Sequence, residues 1–260
     1  VYAVVRDDEN LTVTSSNAKV NIPVEIPKLP IVYVSNEGND ANDGSSRATA
    51  IKTLNHAFEI SAGKIIVLNG DYVINGPVTL ANDLSIVGMG DVVIDCNNSK
   101  FLTTSFALNL TNLRIINGYG ESGSLINCNA KLLVDNCTFS DNVLQKLWSS
   151  IILARGGGII NNTKFISNEV GTGVISCVNK ALTIDNCEFE DNHMSSVNAA
   201  SYGTIYVPSG SILLYNSRLI NNAIGYSVIY AGGSGNNRIV NSTFENNDKT
   251  ESNNGVDIYV

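Results

Sequence analysis

The sequence predicts an all-β fold: a right-handed parallel β-helix, or solenoid, of about eight rungs with a short N-terminal capping helix. Three observations carry that prediction. One phrase recurs with Asn at its centre: LNLTNLRIING (Asn112), LLVDNCTFSDN (Asn136), GIINNTKFISN (Asn162), LTIDNCEFEDN (Asn186), ILLYNSRLINN (Asn216) and RIVNSTFENN (Asn241), at steps of 24, 26, 24, 30 and 25 residues. A second phrase repeats between these at the same period, with isoleucine in its third place: VVIDC, SLINC, SIILA, GVISC, GTIYV and SVIYA, giving Ile94, Ile126, Ile152, Ile175, Ile205 and Ile229, and continued by Ile258. Finally, apolar residues alternate at −4 and −2 before the central Asn and at +1 and +3 after it, so a strand period of two changes phase at the Asn. A strand that changes phase must bend, and Asn is the non-glycine residue best suited to a left-handed bend. Repeats of about 25 residues with no helical period leave a coil whose strands pair one turn on, right-handed by the crossover rule.

The elements follow in order. Residues 1–30 alternate weakly and hold Pro23, Pro27 and Pro30, which suits an extended leader or a strand packed on the flank. Residues 31–62 read as the N-terminal cap, including a short helix over 51–62 with Thr53 as N-cap and Ile51, Leu54, Ala57, Phe58 and Ile60 on its apolar stripe. Residues 63–260 read as the β-helix. Its last strand, in GVDIYV, has no amphipathic cap after it, so the solenoid is expected to continue in a longer protein. The Asn112, Asn136, Asn162, Asn186, Asn216 and Asn241 side chains should stack as an inward ladder.

Interior columns are legible as well. Phe139, Phe165, Phe189, Leu219 and Phe244 form an aromatic stack. Cys96, Cys128, Ala154, Cys177, Val207 and Ala231 form one small-residue column, and Leu113, Cys137, Thr163, Cys187, Ser217 and Ser242 another. These two columns hold all five cysteines, which therefore read as buried packing residues; no CxxC spacing points to zinc.

Composition narrows the function. The chain carries 36 Asn and a formal charge of −8, with no Lys/Arg cluster, which excludes a nucleic-acid partner. No apolar run approaches the length of about 18 residues that crosses a bilayer, so this segment inserts in no membrane. Sequons occur at Asn10, Asn97, Asn109, Asn136, Asn161 and Asn241.

A hydrolase of this architecture needs paired outward carboxylates. The candidates Asp135 and Asp185 are separated by the rung of Asn161, about 10 Å apart along the axis, and read as a solvated face. A lyase needs a calcium cage beside a basic residue, yet Arg114, Lys164 and Arg218 share an outward column with only Thr138, Glu188 and Thr243. No cofactor is expected. The one metal candidate is calcium at Asp40 and Asp43 in GNDANDG, which reads more simply as a turn.

The informative surface is the outward side of the Ile strands. Val93, Leu125, Ile151, Val174, Thr204 and Val228 precede the column isoleucines and should point out; Leu153, Tyr206 and Tyr230 follow them. With Tyr202 and Tyr226, the phrases YGTIY and YSVIY place four tyrosines on adjacent rungs. An apolar sheet face rimmed by tyrosine suits a protein partner or a sugar ring, unless the leader or the 143–150 segment with Trp148 covers it.

The opening VYVSNEGNDANDGSSRATAIKTLNHAFEI, then KIIVLNGDYVI and the Asn-centred rungs, resembles secreted pectin-lyase-like β-helix proteins, and in particular the adhesin-like surface proteins of methanogenic archaea. The FxxN phrases at Phe139–Asn142, Phe165–Asn168, Phe189–Asn192 and Phe244–Asn247 are similar to the repeats of chlamydial polymorphic membrane proteins. The resemblance covers residues 31–260 and implies an extracellular, cell-surface module that presents a binding surface to a glycan or protein on another cell. A polysaccharide lyase or glycoside hydrolase of the same fold is the alternative, and a structural spacer the second alternative.

Overall fold

The computed structural model describes residues 4–6, 12–14, 29–195, 202–233, 235–248 and 258–259. From Leu29 on, the described strands form one sheet of 24 members that coils on itself, and every pairing in it is parallel. Each turn contributes strands to three long columns, and a short fourth one stacks Tyr119, Val143, Glu169 and His193.

In the middle column Val32, Ile65, Ile86, Leu110, Val134, Ile160, Ile184, Leu214 and Ile239 follow one another in register. The next column along the chain stacks Tyr72, Ile94, Ile115, Phe139, Phe165, Phe189, Leu219 and Phe244. Within it the rings of Phe139 and Phe165 lie 5.1 Å apart and those of Phe165 and Phe189 4.9 Å apart, stacked and nearly parallel. Such pairs add about 0.5–1.5 kcal/mol each beyond their burial.

The isoleucine column stacks Val78, Leu102, Ile126, Ile152, Ile175, Ile205, Ile229 and Ile258. Ile94, expected to head it, lies in the aromatic column instead, and Leu102 takes its place. Cys96 shifts with it, so Thr104 rather than Cys96 precedes Cys128. The phrase VVIDC is a local look-alike: its apolar alternation matches, but it is followed eight residues later by the true column strand, Leu102–Thr104.

All five cysteines are buried and unpaired. Burial pushes the thiols of Cys96, Cys137 and Cys187 up to about 12 and that of Cys177 up to about 11. Ala154 separates Cys128 from Cys177, and the rung of Thr163 separates Cys137 from Cys187. Two rungs span about 9.6 Å, beyond disulfide reach.

The helix spans Leu54–Ile60, shorter than the expected 51–62: Ile51 is held by a parallel bridge to Val34, and Ser61 already begins a strand. Thr53 caps it, its hydroxyl accepting from the His56 N–H at 3.3 Å. Asp40 supports the cap by accepting from the N–H groups of Lys52 and Thr53, both at 2.8 Å, and from the Thr53 hydroxyl at 2.9 Å. Burial of Asp40 works against ionisation, but these hydrogen bonds outweigh it and hold the carboxyl below its ordinary value. Asp43 accepts from Ser45, which lowers its pKa too. Asp40 is thus engaged at the helix cap and Asp43 in a local turn. Within the expected leader, Val4–Arg6 pairs antiparallel with Thr12–Thr14, and Leu29 and Pro30 already belong to the first solenoid strand; the rest of residues 1–28 lies outside the described residues.

Asn112, Asn136, Asn162, Asn186, Asn216 and Asn241 all adopt φ between 47° and 55°, the left-handed bend. Their side chains face outward and are exposed, not inward. The residue after each, such as Cys137 or Cys187, turns into the core. The ladder also changes partner: Asn136, Asn186 and Asn241 donate to Asn112, Asn162 and Asn216 at 2.8 Å, whereas Asn162 and Asn216 donate to Asp135 and Asp185 at 2.8 Å.

A second ladder is the buried one. Asn142, Asn168 and Asn192 are 0% exposed and Asn222 1%. They and Asn247 join amide to amide at 2.8–2.9 Å. Each Oδ1 also accepts the backbone N–H at the matching position one rung back, and each Nδ2 also donates to a carbonyl of that rung, as from Asn168 to Phe139 at 2.9 Å.

Candidate functional site

The outward row of the isoleucine column runs Thr103, Asn127, Leu153, Ser176, Tyr206 and Tyr230 in strand register. The rows before it do not face solvent. Leu125, Ile151, Val174, Thr204 and Val228 are buried, and Val93 belongs to the aromatic column opposite Arg114. The chain enters the isoleucine strands through a tight corner, where even Gly118 has no room for a Cβ beside Leu125 and Asn142. The expected apolar face therefore shrinks to its tyrosine end.

That end is aromatic on two adjacent rungs. Tyr202 stacks on Tyr206 with centroids 4.6 Å apart, lies 6.2 Å from Tyr226, and meets Tyr230 edge-on at 6.1 Å; Tyr206 and Tyr230 are 5.4 Å apart. Tyr206 is 8% exposed and forms the floor, while Tyr226 at 41% is open to solvent. Burial, then the neighbouring Tyr202 and Tyr230, raise the Tyr206 pKa and keep its hydroxyl protonated.

Trp148 completes the cluster. It belongs to the 145–149 turn between strands Val143–Leu144 and Ser150–Ala154, and its ring lies 6.1 Å from Tyr202. The 143–150 segment thus joins the patch as a wall instead of covering it. Trp148 is 59% exposed, the most exposed large apolar side chain described. Its backbone is left-handed, φ 66°, which costs a bulky residue on the order of 1–2 kcal/mol. Its N–H donates to the Thr172 hydroxyl at 2.7 Å. Sequence reading finds Trp148 only as potential cover, because nothing local shows that a turn 54 residues before Tyr202 lies beside it.

Between Trp148 and the sheet lies a groove of about 330 Å³, bordered by Leu153, Arg155, Thr172, Ser176, Tyr206 and Pro208. It offers ring faces, hydroxyls and one guanidinium, the mixture that binds a ligand with apolar and polar faces.

The right-handed β-helix region family matches residues 122–260, more than half of the chain and the whole of this groove. The chain belongs to that family. No curated protein sequence matches this β-helix chain. Among solved structures, it is similar to a rhamnogalacturonan lyase (13% identity, TM-score 0.42, covering 83% of this chain and 72% of that one). It is similar also to the pectate lyase Pel9A (16%, TM-score 0.49, 84% and 64%) and to a mutant of the PL6-family alginate lyase AlyGC (11%, TM-score 0.47, 100% and 46%).

A second outward groove, about 460 Å³, follows the exposed Asn ladder of the β-helix beside Lys164, Glu188 and Arg218. It is larger but mainly polar, and its charges are partly spent: Lys164 pairs with Glu188 at 2.7 Å. Asp135 and Asp185, weighed above as a catalytic pair, serve as acceptors in that ladder with the rung of Asn161 between them. Among the described residues no three His, Cys, Asp or Glu side chains gather where they could hold a metal, and no helix is long and apolar enough to cross a membrane.

Proposed function

We propose that this β-helix is an adhesin-like module of the cell surface that binds glycans of another cell on the Trp148–Tyr groove. The observation that carries the reading is the gathering of Trp148, Tyr202, Tyr206, Tyr226 and Tyr230 within ring-contact distances beside a groove bordered by the Ser176 hydroxyl and Arg155. Aromatic faces carry apolar contact at little entropic cost, and the hydroxyl and guanidinium rim satisfies a sugar's polar edge. Leu153 extends the floor. The rigid solenoid would hold this edge away from the envelope that bears it.

A glycan array probed with the wild-type chain and with Trp148→Ala and Tyr226→Ala tests the reading. Each substitution should weaken binding about tenfold or more, the equivalent of 1.4 kcal/mol. Unchanged binding in both variants would remove the groove from the interaction. Product release from acidic polysaccharides, with and without calcium, is the companion assay: sustained turnover would replace the adhesin reading with the lyase or hydrolase alternative.

A further inference from the structure

We infer that Thr172 is the positioning residue of the groove, holding Trp148 and Tyr202 together as a preformed wall for a saccharide ring; this rests on the glycan reading above. Thr172 is 2% exposed, and three of its connections converge on the groove walls. Its hydroxyl accepts the Trp148 N–H at 2.7 Å, its N–H donates to the Ser149 carbonyl at 3.0 Å, and its carbonyl accepts the Tyr202 N–H at 3.0 Å. One buried residue therefore ties the turn that carries one aromatic wall to the segment that carries the other.

The turn is fixed from its own side as well. The Ser149 hydroxyl donates to the carbonyls of Leu144, at 3.0 Å, and Lys146, and the Ser149 N–H donates to the Lys146 carbonyl at 3.2 Å. A bulky residue keeps a left-handed backbone only where its surroundings over-determine it, and such residues concentrate at ligand clamps. Here the surroundings are Thr172 and Ser149, and the strained residue presents an exposed indole to the groove. Binding then needs no ordering of the turn, which is how preorganisation raises affinity.

Trp148 is the single tryptophan of the chain, so intrinsic fluorescence reports this wall with or without a ligand. Thr172→Val keeps the shape and removes the acceptor. Its time-resolved anisotropy should gain a fast component as the indole is released, and Thr172→Ser, which keeps the hydroxyl, should restore the wild-type decay. On the oligosaccharide array, Thr172→Val should bind about tenfold more weakly with Thr172→Ser close to wild type. If Thr172→Val fails to fold by far-ultraviolet circular dichroism, Ser149→Ala loosens the same turn and is read in the same way. Wild-type anisotropy in a folded Thr172→Val overturns the positioning role. A changed anisotropy in a chain whose wild type binds no oligosaccharide leaves the positioning role standing and removes the glycan reading.

Discussion

From Asn112 on, each rung of the solenoid bends left-handed at two places, and the two bends use asparagine in opposite ways. At the first, the left-handed residue is itself Asn, from Asn112 to Asn241, with its amide outside. At the second, the left-handed residue is Asn117, Asp141, Ser167, Asp191, Asn221 or Asn246, and from Asp141 on it is the following residue, Asn142 to Asn247, that turns inward. The geometry is common to both: bend residue out, next residue in. At the first bend the inward residue is small, and a hydroxyl there does part of what the amide does. Thr163 Oγ1 accepts the Cys137 N–H at 3.3 Å and Ser217 Oγ the Cys187 N–H at 3.0 Å. At the second bend a full amide spans the gap and satisfies donor and acceptor at once. The outer Asn is therefore chosen for its backbone and the inner Asn for its hydrogen bonds.

Substitution of an inner amide should have the largest effect. Asn168→Ala strips partners from the Asn142 N–H, the Asn142 amide and the Phe139 carbonyl, all buried. The Asn142 amide keeps the Ile115 and Ser140 carbonyls as acceptors, so at about 1–3 kcal/mol for each of the other two groups the loss should reach about 2–5 kcal/mol in urea unfolding. A loss under about 1 kcal/mol would mean that the inner ladder is no more than packing.

Outer-bend integrity can be followed through the thiols that the outer Asn turns inward. Cys137 and Cys187, pushed up to about 12, should resist alkylation at pH 8 until global unfolding. Because their folded pKa is raised, the neutral thiols contribute stability that is full below the ordinary 9.0 and lost as pH climbs toward about 12. Rapid alkylation in the native state would show that the outer bend opens independently of the inner ladder.

The smallest effect belongs to the outer amide. Asn186→Gly keeps the backbone and should cost under about 1 kcal/mol, while Asn186→Val adds the left-handed penalty of about 1–2 kcal/mol. Equal costs in thermal unfolding would reverse the assignment of backbone and side-chain roles.

The period, the left-handed bend and the phenylalanine stack can be read from the sequence because each is set within one repeat. The inner ladder is visible there only as the Asn of FxxN, without its direction, since two outward-then-inward bends in succession look alike from alternation alone. VVIDC matches the isoleucine strands in pattern; only pairing with Tyr72 and Ile115 reveals its column. Of the site, the tyrosine block follows from adjacent repeats, whereas Trp148 and Thr172 do not.

What the sequence alone determined is therefore the coil: backbone preference and side-chain alternation act over a few residues, and repetition multiplies them into an architecture. The tertiary structure decided which asparagines face the core, which apolar rows are covered, and that Thr172 joins Trp148 to Tyr202. Those outcomes depend on how many residues each corner consumes before the chain meets the rung below, a quantity that pairing between rungs fixes and local preference does not.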